Sequence, residues 1–291
     1  MSTATEPQSQ WDLGAIGRWS QPTSFEVTAE RIAAYAEATN DEHPRHASGE
    51  LAPPIFSFVP ASEPLLASML EPVPEPLKMR GVHGQQDFRY HAPIEPGQML
   101  LTRAGVTGIA ARSTGVVVLG RTESRDQEGR LVTEGTMTYF VRGAELDSSH
   151  GDPLPEHPFP DDVREREPLA RVEHGYDPDQ TQRYSKAAGD PMPIHLDDEF
   201  ARKMGLPGII VHGLCTMAFC SRAVIAAGCS DDPTRLKRLA VRFASIVQPS
   251  ETVTTSVWDA GETDAGLRRL VFETVSDNGN VAIKDGIAEI D

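Results

Sequence analysis

Bulky apolar residues alternate with polar ones in a series of short runs, and the series occurs twice along the chain. In the first part, FRYHAPIEPGQ (88–98) alternates and then turns at Pro96. VTGIAARSTGVVVLGRTES (106–124) and RLVTEGTMTYFVRG (130–143) continue with the two-residue period of strands. In the second part, VRFASIVQPSE (241–251) repeats the first run with Pro249 in place of Pro96. TVTTSVWDA, LRRLVFETVSD and NVAIKDGIAEI then follow as further strands. The turns DQEGR and SDNGN carry hairpin chemistry, with Asn278-Gly279 the stronger signal. One long stretch breaks the pattern. GIIVHGLCTMAFCSRAVIAAG (208–228) is apolar nearly all round and predicts a buried helix closed by Gly228. Its counterpart, PPIFSFVPASEPLLASML (53–70), contains Pro60 and Pro64 and predicts a shorter or kinked helix.

The duplication extends to a loop ahead of each helix. Sliding the chain along itself superposes Tyr35 on Tyr184, Asp41 on Asp190, Pro44 on Pro193 and His46 on His195. Thr28 and Asp177 superpose as helix N-caps, and Pro178 and Gln180 strengthen the second start. Each half therefore reads as a short helix through a Tyr, an acid–base loop, an apolar helical segment and several antiparallel strands. A buried helix wrapped by a strongly curved antiparallel sheet satisfies both patterns. Two such units side by side predict an α+β pseudo-dimer. The expected boundaries are 1–142 and 171–291, with the Pro- and acid-rich segment 143–170 as an extended linker.

Composition narrows the options. A length of 291 residues with 39% hydrophobic and 24% charged content describes a globular chain able to bury a sizeable core. No run approaches the ~18 apolar residues of a membrane span. The start MSTATEPQSQWD lacks the basic and apolar regions of a secretory signal, so a cytoplasmic location is the default expectation. A net charge of −16 argues against nucleic acid or an anionic membrane as partner. Cys215, Cys220 and Cys229 fit no zinc spacing and read as buried thiols, so no structural metal is expected.

YSKAAGDPMPIHLDDEFARKMGLPGIIVHGLCTMA (184–218) resembles the signature of MaoC-like, R-specific enoyl-CoA hydratases and 3-hydroxyacyl thioester dehydratases. The matching positions are Gly189, Asp190, Pro193, Ile194, His195, His212 and Gly213. NDEHPRH, APPIF and HGQQDFRYHAPIEPG resemble the degenerate first half of double hot-dog members. One position departs from the family: the loop Asn is Met192 here, and His43 in the first copy.

The resemblance implies two tandem hot-dog domains that hydrate trans-2-enoyl thioesters reversibly, without metal or cofactor. It implies that Asp190 and His195 hold the reacting water. The backbone N–H of Gly213, at a helix start, is the candidate oxyanion donor. Asp41 and His46 are candidates for a second site, though they read better as loop-fixing residues. His212 reads as a packing residue, as do Tyr35 and Tyr184. The cluster Arg235, Lys237, Arg238 and Arg242 is the candidate binding patch for the phosphates of coenzyme A, against the plainer reading of a solvated strand edge. The expected partner is an acyl-CoA or acyl-carrier thioester, and a homodimer of such chains is a candidate assembly. Two alternatives stay open: a hot-dog acyl thioesterase, and an inactive acyl-thioester-binding subunit.

Overall fold

The computed structural model describes residues 10–291. The first half runs through β1 (Thr23–Glu26), α1 (Ala29–Ala38), α2 (Pro44–Ala47), a 3-10 segment over Pro54–Ala61 and α3 (Ser62–Leu70). Strands β2 (Gly81–Tyr90), β3 (Met99–Arg112), β4 (Gly115–Arg125), β5 (Leu131–Arg142) and the short β6 (His150–Gly151) follow. The second half repeats the plan with β7 (Ala170–Gly175), α4 (Gln180–Ala188), α5 (Asp198–Lys203) and α6 (Gly213–Gly228). It closes with β8 (Leu236–Phe243), β9 (Thr252–Glu262), β10 (Arg268–Ser276) and β11 (Val281–Ile290). Among the described residues no helix is long and apolar enough to cross a membrane.

The strand order is β1-β3-β4-β5-β2-β8-β11-β10-β9-β7, with β6 paired to β3 off this path. That order reads the same from either end once β1 is matched with β7, β2 with β8, and so on. The symmetry axis passes through the central antiparallel pair, where Asp87 lies opposite Ala240 and Gln85 opposite Arg242. Two sheets therefore fuse into one. Its inner face wraps the helices: Phe88, Leu239 and Val241 face the core that α6 supplies with Met217, Phe219 and Val224. On that side α1 and α4 meet at the axis, where Tyr35 and Tyr184 are almost fully buried and their hydroxyls lie 3.3 Å apart. Gln180 Nε2 donates to the Ala38 carbonyl and ties the two helices end to side.

Several local readings hold and others need correction. Thr28 caps α1 by accepting from Arg31 N–H. The segment 53–70 breaks into a 3-10 stretch containing Pro60 and then α3, as two prolines require. The long helix, however, starts at Gly213 and not at 208. Residues 209–212 belong to neither helix nor strand, with Val211 N–H donating to the Val247 carbonyl. A buried connecting run and a buried helix are equally apolar, so hydropathy cannot separate them. Gly228 does not close α6 by a left-handed turn either; a Cβ there would stand 2.5 Å from Leu270 Cδ1. The segment 143–170 is docked rather than loose: Val163 packs on Trp258 and Val271.

The basic cluster is paired within the fold. Strand alternation turns Arg238 and Arg242 to the outer face while Leu239, Val241 and Phe243 face the helices. Arg238 is held between Asp87 (2.6 Å) and Glu289 (3.0 Å) with only 11% of its side chain exposed. Arg242 pairs with Asp285 at 3.0 Å. Arg235 and Lys237 both bond Asp291, at 2.9 and 2.8 Å. Each of the four cations has an oxygen partner, and Arg235, Lys237 and Arg242 keep a third or more of their side chains exposed. Removing the shared cation leaves the carboxylates of Asp87 and Glu289 buried without compensation. Arg238→Ala should therefore lower stability by about 3 kcal/mol in urea titrations. An unchanged unfolding midpoint would show that this seam needs no ion pair.

Candidate active site

Helix α4 stops at Gly189, whose φ of 71° is the left-handed conformation that glycine adopts without strain. The chain then turns through Asp190, Pro191 and Met192 into a one-turn 3-10 segment, Pro193–His195. Neither proline can donate an N–H, and each fixes its own φ, so the loop has little freedom. The Met192 N–H donates to Asp190 Oδ1 at 3.2 Å. The Met192 side chain is 41% exposed, so this residue acts on the loop through its backbone.

His195 is buried and donates Nδ1–H to the Ile210 carbonyl at 2.7 Å. That bond fixes the tautomer and leaves Nε2 as a bare lone pair. Burial holds the His195 imidazole below its ordinary pKa, against the opposing pull of the Ile210 bond and the Asp190 charge. The ring is therefore neutral at neutral pH and can take up a proton. Among the described residues no hydrogen bond joins Asp190 to His195, yet a carboxylate oxygen, a His195 nitrogen and a His212 nitrogen lie within 4.8 Å of one another. That gap suits one water bridging acid and base, since two hydrogen bonds of about 2.8 Å span it at an open angle.

Helix α6 begins beside this pair. His212 is its N-cap residue and Gly213 its first turn, so the Gly213 N–H is one of the unpaired donors of a helix start. A Cβ on Gly213 would lie 3.0 Å from the Phe243 ring, so any larger residue requires that ring to give by a few tenths of an ångström. The His212 ring stacks on His195 at 3.7 Å and 24° and donates Nε2–H to the Asp190 carbonyl at 3.3 Å. Burial, then the neighbouring His195, pushes the His212 imidazole down to about 3. Asp190, His195 and His212 each offer one ligand atom within 4.8 Å of the others, while His195 Nδ1 and His212 Nε2 are engaged by the Ile210 and Asp190 carbonyls.

The first copy is arranged differently. Asp41 Oδ2 accepts directly from His46 Nδ1 at 2.8 Å, and both side chains are buried. Burial alone would raise the Asp41 pKa; the bonds from His46 and the His43 N–H outweigh it and hold the carboxyl low. His46 Nε2 is left buried without a partner. The Ala52 N–H donates to the Ile94 carbonyl as Val211 N–H does to that of Val247, which sets the register between the halves. Pro53 and Pro54 then stand where His212 and Gly213 stand. Proline has no N–H, so the first half lacks the donor that the second half keeps.

A groove of about 720 Å³ opens over the first half and reaches Gly189. Phe25, Phe56, Val59 and Pro60 form its apolar floor, with Arg31 and Lys186 on its rim. In the second half the corresponding space is filled. Phe219 of α6 packs on Tyr176 at 4.8 Å and His174 at 5.2 Å. In the register that sets Pro54 on Gly213, Pro60 stands where Phe219 stands, and the groove is what remains.

Sequence reading located Asp190, His195 and Gly213, which the fold brings together at one helix start. It missed the weight of His212, whose only signal was its place before Gly213. Ile210 acts through its carbonyl and leaves no trace in a side-chain pattern. The missing first-half donor was legible in Pro53-Pro54 once the register was known.

Known proteins match both halves. Residues 160–280 match the family profile described as MaoC like domain, and residues 14–135 that of the FAS1-like, dehydratase domain region. The enoyl-CoA hydratase 2, peroxisomal, of Arabidopsis thaliana is 30% identical over 72% of this chain and 68% of that protein. The 3-hydroxyacyl-thioester dehydratase Y of Mycobacterium tuberculosis is 31% identical over 72% of each. Among solved structures, a MaoC-like dehydratase from Phytophthora capsici superposes with a TM-score of 0.78 over 94% of this chain and 96% of that one, at 24% identity. A Mycobacterium tuberculosis protein described as a double hotdog fold gives 0.60 at 16% identity, over 94% and 95%.

Buried neutral histidines carry a pH signature. His212 and His83 are held down to about 3 and about 4, each chiefly by burial. Below the unfolded value near 6.5 the unfolded chain binds protons that the native one refuses, so stability is full above that pH and falls below it. Each group contributes a slope of about 1.4 kcal/mol per pH unit between its two pKa values. Urea midpoints should drop from pH 7.5 to pH 5, and His212→Gln should flatten the decline; equal slopes in both proteins would contradict the assignment.

Proposed function

The chain belongs to the MaoC-like family of hydratases and dehydratases, and from that premise we propose that it adds water reversibly to trans-2-enoyl thioesters at Asp190, His195 and Gly213. The observation that carries this reading is the unpaired Gly213 N–H beside an acid–base pair spaced for one water. The thioester carbonyl accepts from Gly213 N–H, where the helix start also favours the negative charge that develops on that oxygen. Water lies between the Asp190 carboxylate and His195 Nε2. Its hydroxyl bonds to Cβ, its proton passes to the pair, and a proton returns to Cα, so one molecule of water is added in all. Delivery from a single side gives an (R)-3-hydroxyacyl product. In reverse the same groups remove water.

Catalysis belongs to the second half alone. Asp41 and His46 satisfy each other, and Pro54 supplies no oxyanion donor. The first half instead offers the groove from Gly189 to the acyl chain, its apolar floor suited to a long or bulky group. The departure at Met192 does not favour an inactive subunit, because the Met192 N–H bonds Asp190 whatever the side chain. A cytoplasmic setting is the expectation from sequence, while the plant relative is named peroxisomal; the chemistry is the same in both. Pairing of chains into a homodimer is a separate proposal that sedimentation decides.

With crotonyl-CoA, enoyl absorbance should fall without release of free thiol; thiol release would make the protein a thioesterase. Asp190→Asn and His195→Ala should each cut hydration by about 10³-fold, while Asp41→Asn leaves it within about threefold. Loss of turnover in Asp41→Asn with a normal unfolding midpoint would move the site to the first half.

A further inference from the structure

One hydrogen bond and a ring stack converge on a side chain that takes no proton in this chemistry. His212 occupies the N-cap position of α6 without a side-chain capping bond, packs its ring on His195 at 3.7 Å, and donates to the backbone of Asp190. Its ring also lies 4.8 Å from that of Tyr184, whose hydroxyl meets that of Tyr35 from the first half. A continuous aromatic column thus runs from α1 through α4 to the catalytic ring. His195 itself has only one hydrogen bond, to Ile210, which fixes rotation about one end of the imidazole. Without a face to rest on, the ring could swing about that bond and carry Nε2 away from the bridging water.

We propose that His212 is a positioning residue: one side chain sets both members of the pair, fixing the plane of His195 by stacking and the loop of Asp190 by its N–H. This rests on the hydratase reading only for its kinetic consequence; the geometry stands by itself. The first half shows what happens without the platform. Pro53 replaces His212, and there His46 has turned its Nδ1 onto Asp41. The stack also keeps water from the His195 face. The titratable groups around that ring are Asp190 on its own loop and His212 on α6, with Tyr184 of α4 one layer behind. Removing His212 admits solvent and relieves the burial that lowers the His195 imidazole, so its titration should move upward toward its ordinary value.

Three variants separate the two contributions. His212→Ala removes ring and donor, His212→Phe keeps a ring without a donor, and His212→Asn keeps a donor without a ring. Steady-state kinetics on crotonyl-CoA should show kcat reduced by about 10²-fold in His212→Ala with KM within about threefold, since misplacement costs rate more than binding. His212→Phe should recover most of that loss, and His212→Asn little of it. In parallel, NMR titration of the His195 imidazole should show a raised midpoint in His212→Ala and a wild-type midpoint in His212→Phe. Unchanged kcat and an unmoved His195 midpoint in His212→Ala would overturn the proposal. If His212→Ala fails to fold, equal kcat in the Phe and Asn variants would overturn it as well. If the wild type hydrates no enoyl thioester, the hydratase reading falls, while the NMR midpoints still decide the positioning claim.

Discussion

Everything in the molecule hangs on the antiparallel pairing of β2 with β8. Those two strands join two sheets into one and place the symmetry axis between Asp87 and Ala240. The axis in turn relates two loop–helix junctions, one at Asp41–Pro54 and one at Asp190–Gly213. Phe243 at the end of β8 lies against Gly213 and 4.7 Å from His83 of β2, so the surroundings of Gly213 come from both halves. The outer face of the same seam carries Arg238 between Asp87 and Glu289. An ion pair so far removed from water is weak evidence for net stability, but it penalises any other register of the two strands.

Symmetry of the backbone does not make the two junctions chemically alike. A helix start is useful to an enolate-like oxygen only if its first amide carries a hydrogen. Gly213 provides that amide and Pro54, in the matching place, cannot. Freed from the need to run as one regular helix, residues 54–70 leave space that Phe219 fills in the other half. On the proposed reading, Pro54 removes the donor amide and Pro60, in the place of Phe219, leaves the groove open.

Much of this was legible in sequence because it is local. Strand periodicity, the doubled Asp–Pro–His loop and the proline-broken segment each depend on neighbours within a few residues. What escaped depends on distant partners. The basic cluster looked free because sequence does not show that β11 brings Asp285 and Glu289 alongside β8. Residues 208–212 looked helical because burial erases the difference between periods. Asp41 and His46 share the spacing of Asp190 and His195 and read better as loop-fixing residues, which agrees with their direct bond. The difference lies in which atom of each imidazole is engaged, a matter of ring rotation that no motif records. His212 looked like packing, and it is packing, but against the ring whose orientation matters most.

The central claim is that one of two homologous junctions receives the thioester. Calorimetric titration with butanoyl-CoA, which lacks the double bond and does not react, counts occupied sites directly. The account predicts one molecule bound per chain, with binding of that molecule weakened by a side chain introduced as Gly213→Val. Two equivalent molecules per chain, or a single one indifferent to Gly213→Val, would contradict it.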